Sequence, residues 1–427
     1  MHNTTPPATP SAPPARRKVP MLQPLRHRRY RLLWLSNLLS NLGTWTQTFA
    51  AAWLVASISH STQATALVPA ASYAPMLMFG LLAGVVADAV PRAKLLFAVN
   101  AFMALAAAGM AALAASGAAS PAAVLALVFM MGSGSAFMWP AWQAAMSGLV
   151  QPDEVEAAAS LNNLSFNFAA AAGPALGGAL FVMVGAAPLF LFNALSFTGL
   201  LLVYLDWMRS GGKEDGQAQR PAAAGGITLQ GLRTGLQAAW GSASFRRLLR
   251  HTVCIFGAAI AYTALLPLFV RDVLLREGGA FGSLMACVGG GAVLAAFVLP
   301  ELRARFERRH LLAGAVAIFG AMLLILPLVR AWAVLMALSA LGGVAWSTMV
   351  TSLNSAAQLS FPSALRARTL SVYLMAMALG QTGGSLLWGA AAELAGVPRA
   401  MALAGACLLL YALVLLRGAA GGRQCNL

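Results

Sequence analysis

The sequence predicts an all-α membrane protein of twelve transmembrane helices, and three observations carry that prediction. Apolar residues fill 59% of the 427 positions and charged residues 9%, where soluble domains carry about 25% charged residues. The apolar residues fall in continuous runs of roughly 20, the length that crosses a bilayer core as a helix. Cutting the chain at these runs sorts its 28 Lys and Arg by side. About 24 lie in the tails and even-numbered connections, whereas the odd-numbered connections hold Arg271, Arg276, Arg330 and Arg399. This positive-inside asymmetry places both tails in the cytoplasm. It also excludes a nucleic-acid binder as the reading of a +16 chain. The basic residues form short juxtamembrane clusters whose expected partner is anionic lipid headgroups.

In chain order the spans are expected near 32–56, 65–87, 94–116, 121–149, 157–184, 187–207, 248–270, 280–300, 311–330, 332–360, 369–394 and 398–416. Continuous runs require helices, because hydrocarbon offers no partner to a backbone N–H or C=O outside its own segment. Residues 1–24 are expected to be a disordered cytoplasmic tail, since residues 1–20 are rich in Pro, Thr and Ala and have no apolar core of a signal peptide. Arg26, Arg28, Arg29 and Arg31 then anchor the chain at the inner interface ahead of the first span. Between 311 and 360 two spans follow each other with almost no loop.

The longest hydrophilic stretch between spans, 208–247, divides the spans six and six. It reads as a cytoplasmic linker with at most a short amphipathic helix over 227–240. The expected organisation is therefore an N-terminal six-helix bundle (25–207), the linker (208–247), a C-terminal six-helix bundle (248–416) and a cytoplasmic tail (417–427). The halves echo each other weakly: Pro152 with Pro362, Trp139 with Trp346, and the Gly173–Gly178 cluster with Gly380, Gly383 and Gly384. Duplication of this kind builds two bundles around a midplane site in transporters. The four cysteines have neither CxxC spacing nor a histidine partner, so no disulfide and no metal is expected.

The connection between spans two and three reads Gly80-Leu-Leu-Ala-Gly84-Val-Val-Ala-Asp88-Ala-Val-Pro-Arg92-Ala-Lys94. A glycine permits close helix approach, and an acid followed by basic residues in the turn can form a charge relay with a facing helix end. The segment resembles the cytoplasmic loop signature of the major facilitator superfamily. That resemblance implies that Gly84, Asp88, Arg92 and Lys94 form a gating latch. Ala89 and Pro91 replace the basic residue and glycine of the family pattern, and an ordinary polar turn is the alternative reading. In span five, Gly173-Pro174-Ala-Leu-Gly177-Gly178 is similar to the antiporter motif of drug–proton exchangers in that superfamily, with Ser160 and Ala169 at the upstream glycine positions. Proline frees a carbonyl there and the glycines allow close packing. Leu38–Trp45, Ala51–Val55, Trp139–Gln143, Gln151–Glu154 and Ala159–Asn162 resemble the branch that includes the enterobactin exporter and the transmembrane secretion effectors. The resemblance spans roughly 25–416 and implies the major facilitator fold and efflux, by proton antiport, of a drug-like compound or siderophore.

Asn37, Asn41, Thr44 and Thr48 share one face of span one. Asn163 and Asn167 form a stripe on span five, Thr351 and Ser355 on span ten, and Gln381 sits in span eleven. With Trp139, Trp142, Gln143, Tyr262 and Trp346 they are candidates for a polar, aromatic, uncharged substrate cavity suited to small amphipathic solutes. Interhelical hydrogen bonding is the alternative for each. No acid falls at mid-span, so Asp272 and Glu393, near the outer rim, are the proton-coupling candidates. No cofactor, nucleotide loop or enzymatic constellation is apparent. The expected protein is a monomeric, multi-pass exporter of the bacterial cytoplasmic membrane. A lipid or lysophospholipid flippase, an uncoupled facilitator and a non-transporting membrane sensor are the alternatives. Asp88→Asn is expected to slow transport turnover with little effect on substrate binding, measured by paired flux and binding assays. Equal loss of both, or no loss, returns the turn to an ordinary polar connection.

Overall fold

Every long apolar run becomes a helix, and the chain reverses direction after each crossing. The computed structural model describes residues 20–59, 61–210, 237, 240–361 and 363–420. The expected tail before residue 20, most of the 208–247 linker, the residues after 420 and the Asp88 side chain lie outside the described residues. A one-turn helix at Gln23–Arg26 leads into α1 (Arg28–Ile58), α2 (Thr62–Ala89), α3 (Arg92–Ala115), α4 (Pro121–Gly148), α5 (Val155–Val184) and α6 (Ala186–Arg209). The second half comprises α7 (Ala243–Ala259), α8 (Ala261–Leu268), α9 (Gly278–Arg305), α10 (Arg308–Ile325), α11 (Trp332–Leu359), α12 (Ser363–Ala395) and α13 (Val397–Ala420).

Local chemistry sets the helix starts. Ser61, Ser120 and Ser242 cap α2, α4 and α7 by accepting from the N–H groups of Ala64, Ala123 and Phe245, which satisfies one donor in each first turn. The seventh span is α7 and α8 together, offset at Ile260 and closed by a π-helical turn over Phe269–Val273 after Pro267. It is the most enclosed of the spans. Eleven of the described spans are apolar enough by length and composition to cross a membrane. The remaining crossing, α1, is diluted by Asn37, Asn41, Thr44, Thr46, Gln47 and Thr48 and buries several of them.

The same helix pairings recur in the two halves. α1 packs on α5, α2 on α4, and α3 on α6; α7 packs on α12, α9 on α11, and α10 on α13. The weak internal echoes in the sequence thus correspond to repeated packing. Two six-helix bundles result, joined chiefly along two seams, α2 against α12 and α5 against α9. Large side chains such as Leu105, Leu202 and Leu410 point outward, where acyl chains rather than water solvate them.

The α5/α9 seam is a backbone contact. A Cβ placed on Gly178 would lie 2.5 Å from the Gly282 Cα, and one on Gly289 would lie 2.1 Å from the Ala171 Cα. Carbon atoms pack optimally at about 3.5–4.0 Å, so no side chain fits at these positions. Phe49 of α1 stacks on Phe281 of α9 at 4.8 Å between ring centroids, with Trp53 on the same ring at 5.9 Å. These contacts close the side of the molecule opposite the chain ends. Gly178→Val is expected to lower the thermal unfolding midpoint in detergent through overpacking of about 1–3 kcal/mol. Gly290→Ala, at a helical glycine with open space around it, should be neutral or slightly stabilising; equal losses would refute the close-contact account.

Candidate functional site

The side of the molecule carrying the chain ends also carries the connections at 89–92, 148–155, 305–308 and 359–363, and with them most of the basic residues. Toward this basic side the two bundles part along α5 and α9. On α5, Ser160, Asn163 and Asn167 continue the face that carries Pro174 and Gly178, but they are exposed instead of covered by α9. On α9, Ala296, Phe297 and Pro300 continue the Gly282 face and are exposed as well. The polar stripe of α5 therefore faces the gap between the bundles.

Aromatic rings frame this gap from the first bundle. Phe166 of α5 meets Trp45 of α1 and Trp139 of α4 edge to face, each at 5.8 Å. Gln143, one turn after Trp139, is exposed. Trp139, Gln143, Asn163 and Asn167 thus cluster on neighbouring α4 and α5, with Trp45 and Phe166 as members that the sequence pattern did not single out. Trp142 is on the other face of α4, buried, its indole N–H donating to Asn162 Oδ1 at 3.1 Å.

The α1 stripe has a mixed role. Asn37 is buried and Asn41 half-buried. The Thr44 hydroxyl lies 3.4 Å from Asn193 Oδ1, while Asn193 Nδ2 donates to Gln47 Oε1 at 2.7 Å. Ser196 donates to the Asn193 carbonyl at 2.7 Å, and Gly43 leaves room for the Asn193 amide, which a Cβ would meet at 2.6 Å. This α1/α6 network was missed because Asn193 stands alone in an apolar run. Thr46 extends the same function by donating to the Gly173 carbonyl at 3.1 Å.

In the second bundle Tyr262 is buried and donates to Ser339 at 3.0 Å. Trp346 packs edge-on to Phe256 and against Phe319, whose ring also meets Tyr262. Thr351 is half-buried and bonds to the Ser347 carbonyl. Ser355 lines a cavity of about 230 Å³ with Arg308, Gln358 and Leu359. Gln381 is buried on α12. A separate, mostly apolar groove of about 380 Å³ opens between α5 and α9, lined by residues including Ala175, Ala179, Gly279, Cys287 and Met336. Neither space is lined by Asn37, Asn41, Asn163 or Asn167.

Gly84 is buried in the last turns of α2, Arg92 begins α3, and Lys94 is exposed. Gly173 and Gly177 meet Trp45 and Phe49 of α1, Gly178 meets α9, and Pro174 lies within α5. Asp272 is gripped by the neighbouring Arg271 through contacts of 2.5 and 2.8 Å. Arg271 also reaches the Ser59 carbonyl at 3.4 Å. Glu393 is exposed near the end of α12.

Glu154, the residue ahead of α5, is a buried carboxylate. His27 Nε2 lies 2.6 Å from its Oε2, and the Gln151 N–H donates to the same oxygen at 3.2 Å. Burial opposes its ionisation, but the bonds from His27, Gln151 and Gln23 outweigh burial and hold its carboxyl below the usual value. Tyr30 and Trp34 continue this lacing by donating to the Ala158 and Leu161 carbonyls at 3.0 and 3.1 Å.

The family model described as transmembrane secretion effector matches residues 19–420. The multidrug efflux pump Tap of Mycobacterium tuberculosis is 24% identical over 374 residues, covering 86% of this chain and 87% of that protein. The staphyloferrin A transporter of Staphylococcus aureus is 23% identical over 270 residues, 62% of this chain and 66% of its own. Among solved structures, a bacterial homologue of the human lysosomal transporter Spinster, inward-facing and unoccupied, superposes with TM-score 0.67 at 15% identity. It covers 93% of this chain and 96% of its own. The nucleoside transporter NupG gives TM-score 0.68 at 12% identity, covering 91% of this chain and 98% of its own. These structures share the fold.

A folded-state pKa held below the unfolded one stabilises the fold above the unfolded pKa, and that stability is lost as pH falls through the folded value. The thermal midpoint should therefore drop as pH falls below about 4.3, the ordinary glutamate value. Glu154→Gln and His27→Ala should flatten this dependence. An unchanged acid limb in both variants would remove the clamp from the stability account.

Proposed function

The chain belongs to the transmembrane secretion effector family of the major facilitator superfamily, and on that premise we propose that it exports a small amphipathic or aromatic molecule by alternating access. The observation that carries the proposal is the unequal α5/α9 seam. It is closed at backbone contact from Gly178 to Gly289 and open toward the basic side, where Asn163, Asn167, Trp139 and Gln143 face the gap. The positive-inside partition makes that side cytoplasmic, so a solute would enter the gap from the cytoplasm of a bacterial cell. Rings at Trp45, Trp139 and Phe166 offer stacking, and the amides offer adaptable hydrogen bonds without a fixed charge. Rocking the bundles about the two seams would then close the basic side and open the other.

The relatives support the substrate class: one is named for multidrug efflux and another for a siderophore. The GPxxGG motif at Gly173–Gly178 supports exchange against a cation, a proton in this reading. Asp272 and Glu393 at the opposite rim are the carboxylates proposed to meet it first. Gly84, Asp88, Arg92 and Lys94 are proposed as the cytoplasmic latch. A second reading, translocation of a lipid or lysophospholipid, draws support from the apolar groove between α5 and α9, a lateral route from the bilayer.

The decisive assay is accumulation in an efflux-deficient bacterial host, across toxic aromatic and amphipathic compounds and released siderophores. Expression should lower accumulation of at least one compound, and a protonophore should restore it. Trp139→Ala combined with Asn163→Ala should weaken export while the protein remains in the membrane. No change for any compound would sink the export reading, and activity that survives the protonophore would sink proton exchange alone.

A further inference from the structure

On the closed side of the molecule the bundles meet through apolar surfaces, the Gly178–Gly282 contact and the rings of Phe49, Trp53 and Phe281. A charged side chain crosses between the bundles on the same side. Arg271, in the π-helical turn that ends the seventh span, reaches the Ser59 carbonyl at the end of α1 with Nη1 at 3.4 Å. Dispersion contacts are individually weak and have no preferred direction, whereas a hydrogen bond lapses once its geometry departs from a narrow range. At 3.4 Å this one is longer than the usual 2.7–3.2 Å, which suits a bond that has to break in each cycle.

Both ends of the contact are held in place. Ser59 is 8% exposed, and its N–H donates to the Val55 carbonyl at 2.9 Å. Its hydroxyl oxygen accepts from the Ser61 N–H at 3.0 Å, and Ser61 in turn caps α2. A pull on Ser59 therefore reaches α1 and α2 together. The end of a helix favours a nearby cation, and the last turn of α1 has no basic residue of its own. The second bundle supplies one.

On the other end, buried Phe269 and Val270 anchor the π-helical turn, and the Leu274 N–H donates to the Phe269 carbonyl at 3.0 Å. Adjacent side chains diverge on an α-helix. In this turn Arg271 nonetheless donates to Asp272 twice, from Nε at 2.5 Å and from Nη2 at 2.8 Å. A bidentate carboxylate fixes the plane of a guanidinium, and the nitrogen left over, Nη1, is the one that meets Ser59.

We propose that Arg271 is a latch that holds the closed side shut, with Asp272 as the residue that positions its guanidinium. The proposal rests on the alternating-access reading and adds to it a contact that must break when the bundles rock.

The test is hydrogen–deuterium exchange, read by mass spectrometry, on the full chain in lipid nanodiscs. Arg271→Gln should raise exchange about tenfold at residues 55–65 and 268–280, the shift expected when one charge-assisted bond is lost. It should at the same time lower exchange at residues 160–168 and 296–303, where the gap on the basic side would close. The opposite signs separate a latch from local loosening, which would raise exchange around Arg271 alone. Arg271→Lys and Asp272→Asn should shift both regions in the same directions by less. Unchanged exchange in Arg271→Gln, or a rise confined to 268–280, would overturn the latch. Should that variant not fold, Arg271→Lys and Asp272→Asn decide by the same criterion. Export is read separately in the accumulation assay, so failure of the latch and failure of the export reading are told apart.

Discussion

The contact between Gly178 and Gly282 is the constraint on which the arrangement of the two bundles depends. At this point α5 and α9 meet main chain to main chain, a separation available only where both helices lack a side chain. Phe49, Phe281 and Trp53 then stack around the closure. Further along the same helices the small residues give way to Asn163 and Asn167 on α5 and to Phe297 on α9, and these faces are uncovered. A seam that is tight at one end and open at the other follows from where the small residues stop. The gap proposed as the substrate path is the geometric consequence.

A second constraint comes from the hydrocarbon, in which a buried polar group must find its partner within the protein. The chain meets it pair by pair. Asn193 binds Gln47 and Ser196, Trp142 binds Asn162, and Tyr262 binds Ser339. Such bonds are worth about 0.6–2 kcal/mol each in membranes, so they fix helix register more than they supply stability. Residues of one type thereby acquire different roles. Asn193 orders α1 against α6, while Asn163 and Asn167 face the space between the bundles.

Charge has been moved to the rims. Asp272 is held by Arg271, and Glu393 is exposed near the end of α12. Glu154, the buried acid, lies at the membrane edge under the N-terminal segment, where His27, Gln151 and Gln23 compensate its burial.

Twelve crossings and the family were legible in the sequence, because each depends on local quantities. Run length measures the bilayer, and the Gly84–Lys94 and Gly173–Gly178 segments are contiguous. The glycines at 173–178 were legible as a close-packing element. Which residue each one touches was not. Gly178 finds Gly282 across more than 100 positions, and Thr44 finds Asn193 across 149. Trp142 and Trp139, three residues apart on one helix, end in a buried hydrogen bond and at an open gap respectively. His27 and Glu154 are ordinary loop residues until folding places them 2.6 Å apart. The sequence determined what must lie within the membrane, since that is set by the transfer free energy of each segment. Only the tertiary structure decided which polar groups hold helices together and which face the gap between the bundles, because that depends on packing between helices distant in the chain.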